Sequence, residues 1–253
     1  MRRRTALFAA IASAAAVVVV APSAQQRETR EQHVYVGVTS GSSQTPVEGL
    51  TPADFVVRED GVAREVLRVA PAPPPTHVAL VVDDSAVVQA VVTDLRGGLT
   101  QFLTAMAGLS PPPLVSLTTF GERPTQVVPY AVDPALVLKG IDRIFGRPGS
   151  GAYFIDAVLE ESATLAKTKA ERPVIVAFVV EDGPEYSTPT SSRVADSLKA
   201  SGAQLWTIAL QARSADLSST EARERASVLT DVARRSGGDS RSVLTRQAIP
   251  QAF

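Results

Sequence analysis

Oxygen-bearing side chains gather at two points of this chain, each at the end of an apolar run. Val78-Ala79-Leu80-Val81-Val82 leads straight into Asp83-Asp84-Ser85, and Val174-Ile175-Val176-Ala177-Phe178-Val179-Val180 leads into Glu181-Asp182-Gly183. Carboxylates and a hydroxyl brought together from such points offer three chemistries. Hard oxygens suit a divalent cation such as Mg²⁺, which takes octahedral oxygen ligands and keeps several waters. A hydroxyl beside an acid suits nucleophilic catalysis, provided that a general base lies within hydrogen-bond reach. Two adjacent carboxylates suit acid–base work, because each raises the other's pKa. The bland alternative is that acids at strand ends are solvated loop residues.

The elements around these points are legible from pattern. An apolar run of β-branched and aliphatic residues reads as a strand buried on both faces, as inside a parallel sheet. Val88, Val92, Leu95, Leu99, Phe102 and Met106 recur at steps of four and three, which predicts an amphipathic helix passing close to the sheet at Gly97-Gly98. Leu114–Phe120 reads as the next strand and Thr125–Tyr130 as an edge strand, because of Pro129. Asp133 caps a helix expected to reach Phe145, with Pro134 just inside it. Gly146 to Gly151 reads as a flexible loop before a helix through Asp156, Val158 and Leu165. Ser191–Ala200 reads as a helix closed by Gly202, and Gln204–Leu210 as a strand. Ser218 and Glu221 form a capping box for a last long helix, with Gly237-Gly238 behind it. Strands alternating with helices predict an α/β fold, doubly wound around a mostly parallel sheet, with sites outside the carboxyl ends of the strands.

Upstream, His33–Thr39 alternates like a strand, Thr51 and Pro52 open a helical turn, and Glu59-Asp60-Gly61 joins two hairpin strands, Phe55–Arg58 and Ala63–Val69. This predicts a small all-β unit over residues 25–70, a proline-rich linker at 71–76 and the large domain at 77–253. Residues 1–24 carry Arg2-Arg3-Arg4, an apolar run and a small-residue end, the pattern of a secretory signal peptide cleaved near Ala24, with an uncleaved anchor as the alternative. The mature protein is then expected in the periplasm or outside the cell, with no membrane span after signal removal. The apolar ending Ile249-Pro250-Gln251-Ala252-Phe253 looks like a helix cut short, as in a fragment.

Composition removes several functions. With no cysteine there is no disulfide, thiol catalysis or Cys-based zinc site. A net charge of −1 with both signs dispersed leaves no footprint for nucleic acid. His77 starts the strand whose far end carries Ser85, so at ~3.3 Å per residue it lies out of reach as a general base. The nucleophile elbow, phosphate loop and dinucleotide fingerprint are absent. His33 reads as an ordinary strand residue and Trp206 as core filling. Arg223, Arg225, Arg234 and Arg235 read as a solvated helix face.

From about residue 76 to the end, the order and spacing of these elements resemble a von Willebrand factor type A domain. Asp83-x-Ser85, Asp182 and Gly237-Gly238 carry the likeness, and the upstream hairpin resembles the β unit that precedes such domains in exported bacterial proteins. The resemblance implies a metal-ion-dependent adhesion site with an Asp-x-Ser-x-Ser loop, a Thr from a later loop and an Asp after the fourth strand. Asp83, Ser85 and Asp182 match it. Val87 stands where the second Ser belongs, and Ala152 falls in the loop that should supply the Thr. Neither offers a side-chain oxygen, so the site is expected to be partial and vestigial, with any Mg²⁺ binding weak and no other cofactor. Asp84, Glu181 and Glu185 are nearby acids that would have to build any replacement cation site.

A receiver domain competes for Leu80–Val88, since its first strand also ends on paired acids. It needs a third Asp ending another strand about 45 residues on within a flavodoxin-type sheet, but Asp133 reads as a helix cap. The expectation is a non-enzymatic, exported adhesion or protein-interaction module, binding an unidentified protein through the loops at Asp83–Val87, Gly149–Asp156 and Asp182–Ser187. The class-level alternative is an exported hydrolase using the acids of the same rim.

Overall fold

The computed structural model describes residues 31–41, 45–211 and 217–253. The segment expected to be a signal peptide, the rest of the chain up to residue 30, and residues 42–44 lie outside the described residues. Glu31–Val34 belong to a separate unit and form no regular element; Tyr35–Phe253 form the other. Within the latter, β1 (Thr39–Ser40) pairs antiparallel with β2 (Thr45–Pro46), and β3 (Val57–Glu59) with β4 (Val62–Arg64). The expected strand over His33–Thr39 therefore survives only at its end. Alternation alone does not make a strand where no partner or core waits for it. The hairpin turn is as expected, with Asp60 and Gly61 at φ of 50° and 80°, the twist that suits a two-residue connection. Thr51 donates from its backbone N–H and its Oγ1 to Asp54, at 2.7 and 2.8 Å, over the helical turn Pro52–Asp54. No described side chain before Val78 is buried, and Val56, Val57, Val62 and Leu67 are exposed.

The buried strands begin with β5 (His77–Val82). After it come a 3₁₀ turn (Ala86–Ala90), α1 (Val92–Ala107), β6 (Leu114–Thr119), β7 (Thr125–Ala131), α2 (Pro134–Ile141) and α3 (Phe154–Thr168). Then follow β8 (Val174–Val180), α4 (Ser191–Ser201), β9 (Gln204–Leu210) and α5 (Thr220–Ser227). A π turn (Val228–Val232) continues α5 into α6 (Ala233–Arg235), before β10 (Ser240–Val243) and α7 (Ile249–Ala252). The sheet order is β10-β9-β8-β5-β6-β7, all parallel except β7, which runs antiparallel at the edge where Pro129 predicted one.

Alternation along the strands builds two cores. Val78, Leu80 and Val82 of β5 and Val174, Val176 and Phe178 of β8 face α1 and α7. Ala79 and Val81 with Ile175, Ala177 and Val179 face α3, α4, the π turn and α6. Burial on both faces is why these strands read as continuous apolar runs. The chain leaves β5 for β6 on one side and later returns to β8 on the other, so strand order reverses between β5 and β8. Crevices for ligands form at such switch points, outside the carboxyl ends.

Several local expectations change in detail. Gly98 makes room for the terminal segment rather than for the sheet: a Cβ there would sit 2.6 Å from the Phe253 ring. Phe253 packs against Phe102 and Phe178. Asp133 caps α2 by accepting from the Ala135 N–H at 2.9 Å, but the α-helix stops at Ile141 rather than near Phe145. Ser219, one residue later than expected, caps α5 by accepting from the Ala222 N–H at 3.0 Å. Gly202 closes α4 at φ 69°. Gly238 lets the chain cross β9, since a Cβ would fall 1.9 Å from the Leu205 carbonyl. Trp206 does not fill the core; it is 40 % exposed on β9.

Candidate functional site at the carboxyl rim of the sheet

Val82 pairs with Phe178, so β8 runs past the end of β5. The Asp83 N–H donates to the Phe178 carbonyl at 3.0 Å, and the next ladder position is taken by a side chain. The Asp83 Oδ2 accepts from the Val180 N–H at 3.1 Å, while Oδ1 accepts from the Ser85 N–H at 2.8 Å. The carboxylate thus stands in for a backbone carbonyl and ties β5 to β8. It is fully buried, and burial pushes its pKa up against the two N–H donors that favour the charged form.

Asp84 turns the other way. Its Oδ1 accepts from the Gly121 N–H at 2.6 Å and its Oδ2 from the Arg147 Nε at 2.7 Å. The Arg147 N–H also donates to the Asp84 carbonyl at 3.0 Å. A Cβ on Gly121 would lie 2.6 Å from the Asp84 backbone, so only glycine allows this approach. The loop at Gly146–Gly151, expected to be flexible, is anchored at Arg147.

The loop after β8 is held on both sides. Arg225 reaches in from α5 and donates through Nη1 to the Gly183 carbonyl at 2.7 Å and through Nη2 to the Glu181 carbonyl at 3.0 Å. It is 6 % exposed, which corrects its assignment to a solvated face. Arg223, Arg234 and Arg235 are exposed as expected. Arg225 lies three residues beyond Ala222, on the buried stripe of a helix whose sequence is otherwise polar, and that spacing was the available signal. On the far side of the loop, the Glu185 Oε1 accepts from the Phe154 and Ser187 N–H groups at 3.1 and 3.2 Å. Ser187 Oγ accepts from the Asp156 N–H at 3.1 Å. Two side chains of one loop therefore satisfy two of the free N–H groups at the start of α3, those of Phe154 and Asp156. A backbone bridge joins Ala152 to Glu185, with the Ala152 N–H donating to Pro184 and the Tyr186 N–H to Ala152, both at 2.8 Å. Burial pushes the Glu185 carboxyl up to about 7, although Ser187 and Arg225 act to lower it. Its Oε2 is buried without a hydrogen-bond partner among the described residues, as is Ser85 Oγ.

The three rim loops thus come together, but the side chains expected to act in concert do not. Asp83 spends both oxygens on backbone N–H groups, whereas Asp182 is exposed. Val87 methyl groups lie 3.2 and 3.5 Å from where a Cβ on Gly183 would sit, filling the space between the β5 and β8 loops. Ala152 is buried and offers no oxygen beyond a carbonyl already bonded to Tyr186. Asp84 is committed to Arg147 and Glu185 to α3. Among the described residues, no group of three or more His, Asp or Glu side chains is arranged to hold a metal ion. This donor set does not fit Mg²⁺, which needs convergent oxygens in octahedral geometry. The nucleophile reading fares no better: His77 contacts Thr76 at the amino end of β5, while Ser85 lies beyond its carboxyl end.

The fold defined by this strand order, the antiparallel edge and the helices on both faces is that of von Willebrand factor type A domains. Three solved structures illustrate it. The chain superposes on the SpRpn10 VWA domain with a TM-score of 0.54 at 16 % identity, covering 70 % of this chain and 93 % of that one. For the vWF domain of the type V pili tip protein Mfa5 from Porphyromonas gingivalis the values are 0.52, 12 %, 72 % and 94 %. For the pilus adhesin SpaC from Lactobacillus rhamnosus GG they are 0.51, 18 % and 70 %, but the chain spans only 29 % of that protein. No family model and no curated protein matches the sequence. Among the described residues, no helix is long and apolar enough to cross a membrane.

Proposed function

We propose that the protein is an exported, non-enzymatic interaction module that binds a partner protein at the carboxyl rim of its sheet. The observation that carries this reading is the cross-linking of the rim. Loops from β5, β8 and the start of α3 are tied to one another by buried hydrogen bonds rather than left mobile. A surface whose loops are already ordered loses little entropy on binding. It presents Tyr186, 52 % exposed and 5.8 Å from the Tyr153 ring, beside the exposed Asp182 of the same loop. Tyrosine supplies large contact area at low rotamer cost and is enriched at the centres of interfaces. The likeness to a pilus tip domain and to part of a pilus adhesin agrees with this reading at the level of fold.

The test is affinity capture on the purified protein, scored by rim variants. Tyr186→Ala and Asp182→Ala are expected to abolish capture of a partner that Lys167→Ala, at the opposite end of α3, leaves bound. Equal capture by all three variants refutes the rim as the binding surface. Turnover on a broad hydrolase panel that disappears in Asp83→Ala would instead establish the exported hydrolase.

A further inference from the structure

We infer that Arg147 and Arg225 organise the rim loops in place of a bound cation, so that the surface is set, and meets its partner, without metal. The inference rests on the interaction reading above and adds how that site is held. A divalent ion at a sheet switch point would gather oxygens from several loops. Here the oxygens are gathered by two guanidinium groups. Arg147 joins the loop before α3 to the β5 loop through the Asp84 carboxylate and, by its own N–H, the Asp84 carbonyl. The same carboxylate takes the Gly121 N–H, so the turn between β6 and β7 is held by one cluster. Arg225, all but enclosed, places its fork on the carbonyls of Glu181 and Gly183, on either side of Asp182. A planar fork with five donors can bridge two acceptors at once, and it does not lose its proton in proteins.

The groups that an ion would need are used elsewhere or missing. Both Asp83 oxygens already accept a backbone N–H and are buried, the Val87 methyls face Gly183, and Ala152 supplies only its backbone. Among the described residues Ser85 Oγ is one buried oxygen without a hydrogen-bond partner, too few for an octahedral ion. Positive charge at this rim is therefore covalently built in. A chelator has nothing to remove.

Calorimetric titration of the purified protein with MgCl₂ and MnCl₂, with melting curves in EDTA, is expected to show no saturable heat and no change in Tm. Hydrogen exchange then tests the arginines. In Arg225→Met the amides of Glu181–Ser187 should exchange about tenfold faster or more, while those of β5 keep their protection. Arg225→Lys, which keeps the charge but loses the fork, should fall between and guards against a variant that fails to fold. Saturable 1:1 heat that vanishes in Asp83→Ala overturns the inference, as does unchanged exchange in both Arg225 variants. Capture of the partner that is abolished by EDTA also overturns it and leaves the interaction reading standing. Capture indifferent to Tyr186→Ala and Asp182→Ala overturns that reading instead, and the titration and exchange results still decide the role of the arginines.

Discussion

Glu185 links the chemistry of the rim to the stability of the fold in a way that a single substitution exposes. It is 6 % exposed, accepts through its carboxyl from the N–H groups of Phe154 and Ser187, and has one oxygen without a partner among the described residues. Burial moves its pKa from 4.5 to about 7, so the folded state binds this proton more tightly than the unfolded state does. Stability therefore falls as pH rises from about 4.5 to about 7, and above that the full penalty applies. At 1.36 kcal/mol per pKa unit the penalty is about 3 kcal/mol. Glu185→Gln keeps an acceptor for the two N–H groups and removes the charge, but places amide donors where Oε2 had no partner. A pH-independent loss of about 1–3 kcal/mol should follow. Superposed on it, the pH-dependent difference should disappear. Urea unfolding of both proteins at several values between pH 4.5 and 8.5 measures this directly. The wild-type curve should lose about 3 kcal/mol relative to the variant across that window. A constant offset at every pH, or a wild type that gains on the variant as pH rises, would refute the reasoning.

Asp83→Ala strands the buried N–H groups of Ser85 and Val180, and at about 1–3 kcal/mol each it should lower unfolding stability by roughly 2–6 kcal/mol in urea. Gly238→Ala forces a Cβ onto the Leu205 backbone, which cannot move aside without disturbing β9. A loss of about 3 kcal/mol or more, or insoluble expression, is expected in thermal melts. Ser219→Ala removes the acceptor for the Ala222 N–H at the start of α5 and should cost about 1 kcal/mol by the same measurement.

Much of the architecture could be read from pattern because its cause is local. Val78–Val82 and Val174–Val180 are apolar throughout because both faces of an interior parallel strand are covered, and no turn residue interrupts them. The Asp60-Gly61 turn, the Asp133 cap with Pro134, and the Gly202 closure each depend on the φ preferences or side-chain reach of one or two residues. His33–Thr39 marks the limit of such reasoning. Its alternation is genuine, but a strand needs hydrogen-bond partners, and among the described residues the ladder is limited to Thr39–Ser40 with one further bond at Val38, whose carbonyl accepts from the Val47 N–H.

The rim shows the same division more sharply. That acids would stand at the ends of β5 and β8, and that Val87 and Ala152 supply no side-chain oxygen there, follows from the sequence alone. What each acid does was decided by tertiary structure. Asp83 completes a ladder because β8 outruns β5, and Asp84 meets Arg147 across 63 positions of sequence. Arg225 is buried against a loop 42 positions away, and Glu185 caps a helix that begins 31 positions earlier. Hydrogen bonds of this kind depend on distances between separate loops, and those are set only once the two cores have packed against the sheet. Residue type determined which chemistry was available at the rim, and packing determined which of it was already spent on holding the rim together.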